Sequence, residues 1–121
     1  MYKLFLDDIR MPRNIYPTTS NGEWAIAKSY NKFVEIITHR GLPFQVSYDH
    51  DLSTEHYLPG IDPSTYREKT GYDCAVWLVE YCLKNKCELP SWNVHSANPI
   101  GKRNIEQYLG SWERLKKIYK K

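Results

Sequence analysis

Three short apolar stretches that each end in polar chemistry constrain this chain most. Leu4-Phe5-Leu6 runs into Asp7-Asp8, Gln45 to Tyr48 into Asp49-His50-Asp51, and Trp92-Asn93-Val94 into His95-Ser96-Ala97-Asn98. Each run has the length and the aromatic or β-branched content of a buried strand, and a helical pattern follows each. In an open α/β sheet, ligands bind beyond the carboxyl ends of parallel strands. Four carboxylates, two imidazoles, a hydroxyl and an amide stand at those three ends. The pattern predicts a site that handles a cation and a phosphate.

The periodicity between the strands completes the fold prediction. Ser20 with Glu23 three positions on has the form of a capping box, and Ile26, Tyr30, Phe33, Val34 and Ile37 then lie on one helical face. Gly41 and Pro43 stop that helix. Thr70-Gly71 opens the next, with Ala75, Val76, Val79, Cys82 and Leu83 on its apolar face. Asn98-Pro99 reads as N-cap and first turn of the last, whose stripe is Ile105, Tyr108, Leu109, Trp112 and Leu115. The predicted order is βαβαβα: a small three-layer α/β sandwich with a short, mainly parallel sheet and right-handed crossovers. One domain spans residues 1–121, with an aperiodic loop insert at about 53–69, read either as a lid or substrate-contacting loop or as an ordered surface insert.

Composition narrows the class. The chain has 121 residues, enough for a single core. Net charge is +3, and Lys116, Lys117, Lys120 and Lys121 close the last helical pattern, where cations complement the helix dipole. That placement gives no strong nucleic-acid signal. No apolar run approaches the roughly 20 residues that a membrane span needs, and Met1-Tyr2-Lys3 enters a strand with no signal-peptide pattern. Cys74, Cys82 and Cys87 lack metal-ligand spacing and read as reduced thiols of a cytoplasmic protein. Ten Tyr and four Trp either fill the core or stack on bases.

At the first strand end, Asp7 and Asp8 suit a hard cation such as Mg²⁺ if the strand stops beside them; otherwise they form a solvated turn. Asp49 and Asp51 share one side of an extended backbone, with His50 opposite and read as a packing or capping residue. Ser96, Asn98, Gly101, Lys102 and Arg103 surround a helix start, where backbone amides form an anion site or are simply capped. His95 there is either an acid or base or a satisfied strand-end side chain. The fork of Arg10 suits phosphate oxygens.

The segments Leu4-Phe5-Leu6-Asp7-Asp8-Ile9-Arg10-Met11-Pro12, Tyr48-Asp49-His50-Asp51-Leu52, Thr70-Gly71-Tyr72-Asp73 and Val94 to Ile105 resemble, in order, the signatures of the cyclic-phosphate-processing receiver-like domains. The resemblance implies a receiver-derived α/β fold. Asp7 and Asp8 would match the acidic, cation-binding pair, Asp49 the phosphate-accepting position of signalling receivers, and Ser96 the hydroxyl that contacts the phosphoryl group. Compared with an ordinary receiver, a strand–helix unit is missing before the Asp49 strand. The last strand is missing too, with the lysine that normally pairs with the phosphorylated aspartate.

These readings combine into an expected function: Mg²⁺-dependent hydrolysis or transfer of a cyclic phosphate of a nucleotide. Asp7, Asp8 and Asp49 would hold the cation, with Asp51 as a further ligand or base, His95 would act as acid or base, and Ser96, Asn98, Gly101, Lys102 and Arg10 would hold the phosphate. A module that binds a cyclic nucleotide without cleaving it and a receiver phosphorylated on Asp49 are the alternatives. A Toprim-like nuclease also uses D-x-D, but it places a glutamate where this chain has Asp7-Asp8.

Overall fold

A computed structural model describes residues 2–16, 24–66 and 68–119. Its elements are β1 (Lys3–Leu6), α1 (Pro12–Ile15), β2 (Trp24–Ala27), α2 (Tyr30–Arg40), β3 (Gln45–Tyr48), α3 (Thr54–Tyr57), a 3₁₀ turn (Pro63–Thr65), α4 (Gly71–Asn85), β4 (Ser91–Val94) and α5 (Pro99–Tyr119). The four strands are all parallel, in the order β2-β1-β3-β4. This is the predicted α/β class and a receiver-like fold.

One segment differs from expectation. Trp24–Ala27 is an edge strand, with Phe5 opposite Ile26, and not the first turn of a helix. The helix begins at Tyr30, capped by the Ser29 hydroxyl, which accepts from the Lys32 amide at 3.1 Å. The strand–helix unit expected to be missing before β3 is therefore present as β2 and α2. The Ser20–Glu23 pair lies outside the described residues.

Alternation sorts the sheet into two unlike faces. Leu4, Leu6, Val46, Tyr48 and Val94 join Phe33 and Ile37 of α2, Leu78 of α4, and Ile105 and Leu109 of α5 in one buried cluster. On α4, Leu78 is buried where the stripe placed Leu83, which is 54% exposed; Leu115 on α5 is exposed as well. Phe5 points to the opposite face, against Trp24 and His95. Among the described residues that face is covered by the short α1 segment, whose Tyr16 stacks on Trp24 at 5.5 Å.

The insert after β3 is tied at its base. His56 is buried: its Nδ1 accepts from the Leu52 amide at 2.8 Å, and its Nε2 donates to the Glu68 carbonyl at 2.7 Å. The segment carries two short helical turns, and Tyr66 packs on the clasping ring at 4.5 Å.

Candidate functional site

The sheet register assembles the site. Leu6 pairs with Tyr48, and Tyr48 with Val94, at the ends of three adjacent strands. The next residue on each strand is Asp7, Asp49 or His95. The ladder runs on through them: Asp49 N donates to Leu6 O, His95 N to Tyr48 O and Asp7 N to Ala27 O, at 2.9, 2.9 and 3.0 Å. In the order β2-β1-β3-β4 the chain reverses direction between β1 and β3, the topological switch point where such sheets bind ligands. Asp7 and Asp49 stand on its two sides.

Asp7 is nearly saturated with donors. Oδ1 accepts from the Ile9 and Arg10 amides at 2.9 and 2.8 Å, and Oδ2 from Arg10 Nε at 2.8 Å and His95 Nε2 at 3.0 Å. Burial pushes this carboxyl up, but the His95, Arg10 and Ile9 hydrogen bonds and the Arg10 charge outweigh it, so Asp7 lies below the usual carboxylate range. Asp49 goes the other way. Burial, then the Asp7 charge, raise it, and the Ser96 hydroxyl, Arg10 and His95 offset only part of that. Its Oδ1 accepts from the His50 amide at 2.9 Å and lies 3.3 Å from Arg10 Nη2. Its Oδ2 is buried with no hydrogen-bond partner.

Oxygens of Asp7, Asp8 and Asp49 lie within 4.8 Å of one another. An all-oxygen donor set with one buried, unpartnered carboxylate oxygen fits a hard divalent cation. Asp51 is not part of this group: it lies 2.7 Å from His50 Nδ1 and accepts from Asn98 Nδ2 at 3.2 Å. The two carboxylates of the D-x-D therefore serve different neighbours, because β3 ends at Tyr48 and the backbone beyond it no longer alternates.

His95 is inside the protein, its side chain 3% exposed and its ring stacked on Phe5 at 4.5 Å. Both nitrogens have partners. A carboxylate only accepts, so Nε2 carries the proton toward Asp7, while Nδ1 lies 2.7 Å from Ser47 Oγ. The chain continues from Ser47 to the Tyr16 hydroxyl at 2.8 Å, which accepts from Asn93 Nδ2 at 2.6 Å. Sequence reasoning missed Tyr16, Ser47 and Asn93. Ser47, a polar residue in the middle of a fully buried strand, was the available signal.

The start of α5 corrects one expectation. Asn98 Oδ1 accepts from the Ile100 and Gly101 amides at 3.1 and 3.0 Å, the Asn98 carbonyl accepts from Lys102 N at 2.8 Å, and Pro99 has no amide hydrogen. The first-turn amides are thus capped from within, and Asn98 and Gly101 offer a phosphate none of them. Gly101 instead admits the His50 ring, since a Cβ there would lie 2.3 Å from His50 Cγ. Ser96 is buried with Oγ accepting from Asn98 N at 3.1 Å, and its hydroxyl faces Asp49. Lys102 is tied to the site through its backbone alone. Arg10 reaches the site directly, with its side chain 30% exposed between Asp7 and Asp49.

Residues 2–111 match the model of the cyclic-phosphate processing receiver domain. The chain belongs to that family. The match covers the four described strands, the acidic group and most of α5, so the site lies within the receiver domain. A solved structure described as yeast Spc42 trimeric coiled-coil amino acids 181–211 fused to another structure is similar in fold, with a TM-score of 0.50 at 16% identity over 88% of this chain. The chain spans 59% of that solved chain. No curated protein matches. Among the described residues, no helix is long and apolar enough to cross a membrane.

Proposed function

We propose that this receiver domain binds a divalent cation, Mg²⁺ being the best match to its ligands, and processes a cyclic phosphate of a nucleotide. One observation carries the reading: carboxylate oxygens of Asp7, Asp8 and Asp49 gather within 4.8 Å at the switch point of a cyclic-phosphate processing receiver domain, and Asp49 keeps a buried Oδ2 without a hydrogen-bond partner. When bound, the cation supplies charge for the phosphoryl oxygens and lowers the pKa of coordinated water.

The protein's own groups do the rest. Asp7, Asp8 and Asp49 hold the cation. The Ser96 hydroxyl, next to Asp49, donates to a phosphoryl oxygen, and the exposed part of Arg10 neutralises phosphate charge. His95 is a positioning residue: it fixes Asp7 from beneath, as an outer-shell partner orients a ligand. Asp51 holds His50 and Asn98, and so the loop that presents Asp49 and Ser96.

Binding without turnover is the second reading, and one observation favours it: neither nitrogen of His95 is left to take a proton from substrate or water. Incubation with a panel of cyclic mono- and dinucleotides, with Mg²⁺ and with chelator, separates the two. Processing predicts products that disappear with chelation and in Asp49→Ala. A bound but unchanged ligand after long incubation selects the binding module, and no binding or turnover of any cyclic phosphate overturns both.

A further inference from the structure

Asp49 and His50 are consecutive, yet they face different spaces. Asp49 enters the acidic group, while His50 lines a groove of about 770 Å³ between the starts of α4 and α5. Asn98, whose amide holds Asp51, lines the same groove. The groove and the acidic group therefore lie on the two sides of the loop leaving β3, both beyond the carboxyl end of the sheet.

The groove's chemistry is unlike that of the acidic group. Among the described residues its lining includes no lysine or arginine. Asp73, the one carboxylate among them, accepts from the Thr70 amide at 2.8 Å in a helix cap. Three phenol rings form walls: Tyr66 from the clasped insert, Tyr72 from α4 and Tyr108 from α5, the last two packed edge-on at 5.5 Å. Asn104, Gln107 and Ser111 follow one another along one face of α5 at helical spacing. Asn104 and Gln107 are exposed, and among the described residues neither makes a hydrogen bond through its side-chain amide.

We infer that this groove is a nucleobase subsite, in which the amides of Asn104 and Gln107 read the base edge and the tyrosine walls stack on its face. A side-chain amide offers a donor and an acceptor in one plane, which is what the edge of a base requires, and aromatic faces hold bases regardless of charge. The described walls are aromatic and amide-bearing where the acidic group is charged, so base and phosphate would be sorted to opposite sides of the Asp49-His50 loop. The volume lies within the range of small-molecule pockets. The inference rests on the nucleotide reading of the preceding subsection, and its test omits phosphate and metal.

The experiment titrates the full chain with adenosine, guanosine, cytidine and uridine in chelator, followed by amide chemical shifts and calorimetry. The probes are wild type and an Asn104→Ala/Gln107→Ala double variant, which changes only exposed helix positions and whose fold is checked by circular dichroism. Saturable binding of at least one nucleoside, with shifts at Tyr66, Tyr72 and Tyr108 and affinity lowered about tenfold or more in the double variant, is expected. No saturable binding at millimolar nucleoside, or equal binding by the double variant, overturns the inference. Nucleoside binding without cyclic-phosphate turnover removes the processing reading alone. Turnover that ignores the double variant removes the base subsite alone.

Discussion

Gly71 packs so closely on Asp49 that a Cβ at position 71 would lie 1.7 Å from the Asp49 carbonyl oxygen and 2.8 Å from its carbon. The Gly71 amide also donates to the neighbouring His50 carbonyl at 2.8 Å. The start of α4 is thus pressed against the backbone that carries the central carboxylate. Gly71→Ala should lower stability by about 3 kcal/mol or more, because backbone cannot yield as a side chain can. Gly101→Ala meets the His50 side chain instead, which can swing away about χ1 only by leaving Asp51, and should cost about 1–3 kcal/mol. Urea denaturation of the two variants checks the order.

Asp49→Asn should raise the stability of the metal-free protein at neutral pH. The raised carboxyl of Asp49 means that ionisation penalises the folded state. That penalty is absent when the group is protonated in both states and grows as pH rises through its folded pKa. The variant should therefore lead in Tm near neutrality and lose its lead below the ordinary aspartate value of about 3.9. Asp7→Asn has the opposite sign. The lowered carboxyl of Asp7 stabilises the fold above its unfolded value, and that contribution disappears as pH falls through the folded one. Thermal melts across pH for both variants read the two signs.

Cation binding is read by Tm. At a Mg²⁺ concentration 100 times Kd, one site adds about 2.7 kcal/mol. Arg10→Ala removes a guanidinium that lies against both Asp7 and Asp49, and so should tighten Mg²⁺ binding while weakening that of a cyclic nucleotide. A variant that weakens both would show that Arg10 builds the cation site and does not compete for it.

Ser47→Ala cuts the buried chain between Tyr16 and His95. It leaves His95 Nδ1 without its partner at a fully buried position, which should cost about 1–3 kcal/mol. It should also weaken cation binding by about 10-fold or more through the loosened Asp7. Tyr16→Phe keeps the Ser47–His95 contact and should have the smaller effect on affinity. Calorimetric Mg²⁺ titration of the two variants ranks them.

The first strand end was the most readable because buried strands of a parallel sheet are nearly continuous apolar runs, and Leu4-Phe5-Leu6 is such a run. Trp24–Ala27 was not readable as a strand, since two of its four residues are alanine and its apolar positions continue the helical stripe of α2. The contributors Asp7, Asp8 and Asp49 stood out because each follows a strand directly. The internal capping by Asn98 is invisible in sequence, where the same Asn-Pro start suits a capped helix or an open anion site equally well. Tyr16 could not be placed from sequence either. It reaches Ser47 and Asn93 across 31 and 77 positions of chain, contacts that only the sheet order creates.

Because Asn98 consumes the first-turn amides of α5, that helix start brings no free amide to the acidic group, which Arg10 alone among the described guanidinium groups bridges from Asp7 to Asp49. On the proposed reading, a lone orthophosphate would meet repulsion there. Entry by a phosphorylated ligand would then be conditional on a counter-ion arriving first or alongside, and the order of addition would be a property written into one asparagine side chain.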